Sequence, residues 1–266
     1  MSEQEDPGLL RSTFDSVASL YDEARPGYPE RLFDDLAALS GTGPGAKALE
    51  IGCGTGQATV PLARRGYRVL CVELGANLAA IARSKLTGYP DARVLASSFE
   101  DWPLEEEAFD LVVSATAFHW VGSAVRYQKS AQALRPGGSL ALIWNTHHPE
   151  GSTEGFPDAL DDLHRRETPH LAHERRPPRL DRADDKAGEV EGSGFFEKPE
   201  ERAYPFGASH DAESYLRLLG TFSSHRALEE ATRQRLFAAV ARLIDEEYGG
   251  RVVEGYRSEL YVARRR

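Results

Sequence analysis

The sequence predicts an α/β fold: a doubly wound, mostly parallel seven-stranded sheet with helices on both faces. Two observations carry that prediction. Apolar strand-like runs alternate with helix-like runs from residue 46 to residue 145, and alternation of this kind builds a parallel sheet with right-handed crossovers. The strand-like runs are also nearly continuous in apolar residues, as in Leu111-Val112-Val113 and Leu140-Ala141-Leu142-Ile143-Trp144, which suits strands covered on both faces.

Taken in order, residues 9–20 read as a short helix. Tyr21 to Pro29 reads as a shaped turn, because two prolines and a glycine break a helix there. Residues 30–39 carry Leu32, Phe33, Leu36, Ala37 and Leu39 at helical spacing. Strands are expected over 48–51, 68–73, 92–96, 109–115 and 139–144, with helices over 57–65, 77–86 and 123–134. The stretch from 149 to 201 is rich in charge, proline and histidine, and only 158–166 reads as a helix within it. Such a length without structure is unusual inside a compact domain, so it reads as an insertion or lid after the fifth strand. Helices follow over 214–219 and 228–248, the longer one burying Leu236, Val240, Leu243 and Ile244. Residues 251–254 and 258–263 read as a closing strand or hairpin. One domain results, with an N-terminal helical cap at 1–45, a core at 46–145, the insertion at 146–202 and closing elements at 203–266.

Composition bounds the function. The 266 residues are ample for a real core, and a net charge of −10 argues against a nucleic-acid partner. No apolar run approaches a membrane span, and the polar start does not resemble a signal peptide. Cys53 and Cys71 are the only cysteines, too few for a disulfide framework, and they read as small apolar fillers in a protein of the reducing cytoplasm. The histidines at 147, 148, 164, 170 and 173 lack ligand spacing on a defined framework and read as surface or lid residues, so no metal site is expected.

The first strand ends in Glu50-Ile51-Gly52-Cys53-Gly54-Thr55-Gly56-Gln57. Glycine accepts backbone angles other residues resist and admits a ligand close to the chain. A strand turning through such a loop into a helix is expected to present unpaired N–H groups to a nucleotide-type ligand. A dinucleotide fingerprint needs glycine where Gln57 stands, and a phosphate loop needs Gly-Lys-Ser/Thr, so neither is present. Ligands of open α/β sheets sit outside the carboxyl ends of the strands. There the second strand delivers Glu73, about twenty residues on, where a carboxylate accepts both hydroxyls of a ribose. The third leads to Ser97-Ser98-Phe99-Glu100-Asp101-Trp102, the fourth to Ala115-Thr116-Ala117-Phe118-His119-Trp120, and the fifth to Asn145.

Glu-x-Gly-x-Gly-x-Gly resembles the first motif of the class I S-adenosylmethionine-dependent methyltransferases. Phe99-Glu100-Asp101-Trp102-Pro103-Leu104, Phe109 to Ser114, Phe118-His119-Trp120 and Leu134-Arg135-Pro136-Gly137-Gly138 resemble segments of the small-molecule branch that includes the trans-aconitate and ubiquinone-pathway enzymes. The resemblance covers roughly residues 14–145. It implies a Rossmann-like fold and S-adenosyl-L-methionine as methyl donor, leaving S-adenosyl-L-homocysteine. It also implies that Glu50 and the Gly52, Cys53, Gly54 and Gly56 backbone hold the methionine part. By the same resemblance Glu73 holds the ribose, Ser98, Phe99 and Glu100 lie along the adenine, and Leu74 and Ala115 are further cofactor-binding residues. Many relatives have aspartate at the Ser98 position, so adenine here is expected to rest mainly on Phe99 and backbone bonds.

Methyl transfer from a sulfonium is an in-line displacement, and much of its acceleration comes from positioning. Tyr21 and Arg25 are expected to cover the cofactor or attract an anionic substrate. His119 is the candidate base, following the strand where acceptor should meet methyl; the alternative is that it only orders the loop or touches ligand. The expectation is a cytoplasmic methyltransferase, monomer or homodimer, acting on a small molecule without nucleic-acid or membrane partners. The alternatives are a non-catalytic S-adenosylmethionine-binding subunit or regulator and, disfavoured by Gln57, a nicotinamide-dependent oxidoreductase.

Overall fold

The structure, a computed structural model, describes residues 15–169 and 185–266. Residues 9–14 of the expected first helix, His170, His173 and the charged run from 175 to 184 lie outside the described residues. The sheet has seven strands in the order β3-β2-β1-β4-β5-β7-β6. The strands β1 (Lys47–Ile51), β2 (Arg68–Glu73), β3 (Ala92–Ala96), β4 (Phe109–Ala115) and β5 (Leu134–His147) run parallel. The last, β7 (Val252–Arg264), is antiparallel to both β5 and β6 (Glu200–His210).

The central strands have apolar side chains on both faces, and two cores follow from that. One holds Leu32, Phe33 and Leu36 of the Glu30–Ser40 helix together with Leu62, Ala79 and Ala82 against Ala48, Leu111 and Ile143. The other packs Phe118, Ala131, Val190 and Phe196 against Leu49, Val112 and Leu142. A third cluster joins Phe156, Leu160 and Leu163 of the Phe156–Glu167 helix to Tyr215 and Leu218 of the Ala212–Leu219 helix. It continues into Leu236, Val240, Leu243 and Ile244, the stripe read from sequence. The Ala18–Ala24 helix packs on Ala212–Leu219, so a helical layer faces the carboxyl ends of the strands. Among the described residues no helix is long and apolar enough to cross a membrane.

Three local expectations are corrected. Tyr21 is helical, and the turn begins at Arg25, whose extended backbone (φ −78°, ψ 130°) is what a residue before proline prefers. The closing strand or hairpin is one continuous 13-residue strand, β7, with no break between residues 254 and 258. Its Gly255 makes no turn: it pairs with Gly207, and a Cβ there would lie 2.3 Å from the His148 carbonyl oxygen. The glycine serves close approach of the 148–152 segment. The partner strand β6 escaped the sequence reading because Pro205 sits in its middle, which only an edge strand tolerates.

Candidate functional site

Two adjoining chambers open between the strand ends and the helical layer. The first, about 340 Å³, is bounded by Gly52, Gly54, Glu73, Leu74, Ser98, Phe99, Glu100, Ala115 and His119, with Tyr21 and Arg25 above. The second, about 230 Å³, shares Tyr21, Arg25, Gly52, Gly54, Ala115, Thr116 and Phe222 with the first. It continues past Glu50 and Cys53 to Asn145, His147 and Tyr256. Of the residues singled out from the sequence, Gly56 borders neither chamber; its left-handed backbone (φ +93°) packs the loop against Ala82.

The glycine loop does its work differently from the expectation. The N–H groups of its three glycines are all used inside the protein: Gly52 donates to the Val72 carbonyl, Gly56 to the Cys53 carbonyl, and Gly54 to Glu73 Oε2 at 2.8 Å. The following helix begins only at Thr59. What glycine provides is shape. Gly52 has φ +68°, and a Cβ there would lie 2.5 Å from Ala117 Cβ, so the loop can lie flat against the end of β4 only without a side chain.

Glu73 is buried at the end of β2, its two oxygens accepting from Gly54 N–H and Gly75 N–H at 2.8 Å each. Burial pushes its pKa up, and those two backbone bonds oppose the rise. Glu73 borders the first chamber, and a carboxylate has acceptor capacity beyond these bonds. Beside it Leu74 is 49% exposed although large and apolar, an apolar floor without a protein partner over half its surface. Ser98 does not reach toward the chamber with its hydroxyl: Oγ donates to Asp101 Oδ2 at 2.6 Å and accepts from Asp101 N–H at 3.0 Å, capping its own turn. The Phe99 ring is stacked on Trp102 in the core, centroids 6.1 Å apart. Glu100 Oε1 accepts from Gly122 N–H at 3.0 Å, and His119 leans on Trp120 in the wall of the first chamber.

Two buried polar atoms between the chambers lack protein partners. Glu50 is fully buried; its Oε2 accepts from the Cys71 thiol at 3.7 Å, while Oε1 has no hydrogen bond. Burial drives its pKa up to about 7 against the bonds from Thr59 and Cys71. Arg25 lies over the Phe222 ring at 4.3 Å and donates from Nη2 to the Thr221 carbonyl at 3.3 Å, but Nε has no partner. Burial lowers the Arg25 pKa. Buried polar groups are almost always paired, so one carboxyl oxygen and one guanidinium N–H without partners at one cavity leave an acceptor and a donor open to a ligand.

Thr116 adds strain at the seam: a β-branched residue with φ +54°, it is held by its N–H to the Ile143 carbonyl (2.7 Å) and its hydroxyl to Tyr28 (3.1 Å). Sequence reasoning passed over Thr116, Phe222, His147, Glu254 and Tyr256. No local signal marks them, since His147 and its partner Glu254 are 107 residues apart. His147, read as a surface or lid histidine, stands in the second chamber.

A family model described as a methyltransferase domain matches residues 49–142, the stretch from β1 to β5. An uncharacterized methyltransferase of Geobacillus kaustophilus is 30% identical over 170 residues, which span 57% of this chain and 78% of that protein. The chain belongs to the class I methyltransferase family. The chain is also 34% identical over 134 residues to an uncharacterized methyltransferase of Mycobacterium tuberculosis, covering 50% of this chain and 52% of the other. It thus spans about half the length of the mycobacterial relatives it matches. Among solved structures it resembles an Anaeromyxobacter dehalogenans protein assigned as a type II methyltransferase, with TM-score 0.64, 24% identity and coverage of 90% and 97% of the two chains. The fold is likewise shared with a Haemonchus contortus phosphoethanolamine N-methyltransferase solved with S-adenosylhomocysteine, at TM-score 0.53 and 16% identity, over 94% of this methyltransferase and 57% of the other. The seven-stranded, Rossmann-like reading of the sequence holds.

Proposed function

We propose that this chain moves the methyl group of S-adenosyl-L-methionine to a small-molecule acceptor at the far end of the second chamber, beyond the donor's methionine end. The observation that carries the reading is the pair of unsatisfied buried groups. Glu50 Oε1 and Arg25 Nε offer an acceptor to an ammonium and a donor to a carboxylate, and an α-amino acid has both. The site therefore fits the methionine end of the donor, with Gly52 giving the backbone clearance and Tyr21 covering it. Glu73 has acceptor capacity left for ribose hydroxyls, and Leu74 and Leu78 supply apolar surface for the adenine beside Ser98, Phe99 and Glu100. When bound, the sulfonium supplies an activated methyl and a good leaving group.

The protein's own contribution is then alignment and exclusion of water. Thr116, strained at the seam, fixes the edge across which donor and acceptor meet. His119 borders the chamber assigned to the adenosyl group, which favours contact with the cofactor over proton transfer from the acceptor. The reading calls for neither a nucleic-acid nor a membrane partner, and for a monomer or homodimer of the cytoplasm. Titration calorimetry with S-adenosylhomocysteine and S-adenosylmethionine tests it: binding of both, lost in Glu50→Gln and Arg25→Met, is expected. A folded protein that binds neither would overturn it. Transfer of labelled methyl from S-adenosylmethionine into a metabolite extract separates an enzyme from a binding subunit.

A further inference from the structure

The far end of the second chamber contains a relay that no step of donor binding uses. His147, the last residue of β5, points its Nδ1 at Glu254 Oε1, 2.8 Å away on β7, and the other oxygen of Glu254 accepts from the Tyr215 hydroxyl at 2.8 Å. Glu254 is buried, and the imidazole is held between Tyr256 (ring centroids 4.8 Å apart) and Phe222 (5.6 Å). A histidine whose Nδ1–H is taken by a carboxylate presents Nε2 as a lone pair. Among the described residues that Nε2 makes no hydrogen bond, while the residue borders the same chamber as Glu50, Gly52 and Thr116. This is the geometry of a base oriented by a third group.

We propose that His147, oriented by Glu254, is the general base for a hydroxyl acceptor, and that the acceptor is a phenol. This rests on the methyltransferase reading above. Four aromatic side chains, Tyr21, Tyr28, Phe222 and Tyr256, bound the chamber and suit a flat ring. A carboxylate acceptor would need no base, and transfer to an amine is the competing outcome that the test below separates. In the step, the phenolic oxygen forms a bond to the methyl carbon as the sulfur–methyl bond breaks. The bonding electrons stay on sulfur, which leaves as a neutral thioether, and the phenolic proton passes to His147 Nε2, the imidazolium being stabilised by Glu254.

The test uses the full chain, labelled S-adenosylmethionine and four acceptors of one ring size: phenol, 4-nitrophenol, benzylamine and phenylacetate. At about pH 8.5, where the assay is run, 4-nitrophenol is almost wholly ionised and needs no base, while phenol is still protonated. Expected are methylation of both phenols by the wild type and a kcat for phenol at least ~100-fold lower in His147→Ala, with 4-nitrophenol changed less than about 5-fold. Added imidazole restores part of the loss, and S-adenosylhomocysteine affinity is unchanged. Glu254→Gln shows an intermediate loss, again confined to phenol. If the variants do not fold, the His147 imidazole ¹⁵N signals of the wild type decide: phenol titrated into the S-adenosylhomocysteine complex shifts them. Equal losses for both phenols, no transfer to either phenol by protein that binds S-adenosylhomocysteine, transfer only to benzylamine or phenylacetate, or unmoved ¹⁵N signals would each overturn the proposal. Absence of S-adenosylhomocysteine binding by folded wild type instead removes the methyltransferase reading itself, and this one with it.

Discussion

Glu50→Gln should make the ligand-free protein more stable at pH 8 while weakening cofactor binding. The carboxyl is fully buried, and burial moves its pKa up from 4.5 to about 7. Below pH 4.5 it is protonated whether the chain is folded or not. As pH rises from there the unfolded chain ionises first, so stability declines until the folded carboxyl also ionises near pH 7. At about 1.4 kcal/mol per pH unit, the decline amounts to about 3 kcal/mol. Glutamine keeps the neutral shape and escapes this decline. Urea unfolding of the ligand-free protein should therefore give nearly equal stabilities for wild type and Glu50→Gln at pH 4.5, and an advantage to the variant of up to about 3 kcal/mol at pH 8. A stability difference that is the same at both pH values would refute the assignment of a strained, buried acid.

The same carboxyl links binding to protons. An ammonium placed against Glu50 Oε1 favours the carboxylate, so S-adenosylhomocysteine binding at pH 6 should expel close to one proton, and far fewer at pH 8.5. Calorimetry in buffers of different ionisation heat measures this directly. Glu50→Gln should abolish the release, and a wild type that releases no proton at pH 6 would place the ammonium elsewhere.

Other perturbations have signs fixed by geometry. Gly52→Ala adds a Cβ 2.5 Å from Ala117 Cβ at φ +68°, which costs at least about 1–2 kcal/mol from the left-handed backbone alone; S-adenosylhomocysteine affinity and melting temperature should both fall. Adding Ala117→Gly removes the clash but not the strain, so recovery should be partial. Ser98→Asp places a second carboxylate against Asp101, now 2.6 Å from the serine hydroxyl, so cofactor affinity should drop; Ser98→Asp with Asp101→Asn should recover it or exceed wild type. Phe156→Ala empties the centre of the third core, where the ring meets Tyr215 and Tyr248 at 5.3 Å each, and should lower stability by about 3–5 kcal/mol in urea unfolding.

The parts of this molecule that could be read from sequence are those whose cause is local. Apolar continuity placed β1, β2, β4 and β5 because strands covered on both faces have no polar side to show. The spacing of Glu50, the glycines and Glu73 located the donor end because one strand–loop–strand unit builds it. Even there the physics differed: the loop's N–H groups bind the protein, and glycine is needed for flatness against Ala117. Ser98 looked like a poor adenine contact because its role, capping the turn at Asp101, shows only in three dimensions. β6 was hidden by Pro205, and β7 was split at Gly255 by a glycine that serves packing.

The far end of the second chamber, proposed for the acceptor, is illegible for a deeper reason: it is created by strand register. β7 returns antiparallel to β5 with Asn145 opposite Ser258 and His147 opposite Tyr256. Side chains two apart share a face, so Glu254, Tyr256 and Ser258 look the same way, with Ser258 donating to Asn145 Oδ1 and Glu254 reaching His147. That register is held by the buried Val252, Leu260 and Val262 on the same alternation. A slip of one residue would turn the whole set to the other face and separate Glu254 from His147. The apolar pattern that closes the sheet therefore also orients the imidazole. A relay of this kind leaves no motif: the selected property is the parity of a strand, and its partner lies more than a hundred residues away.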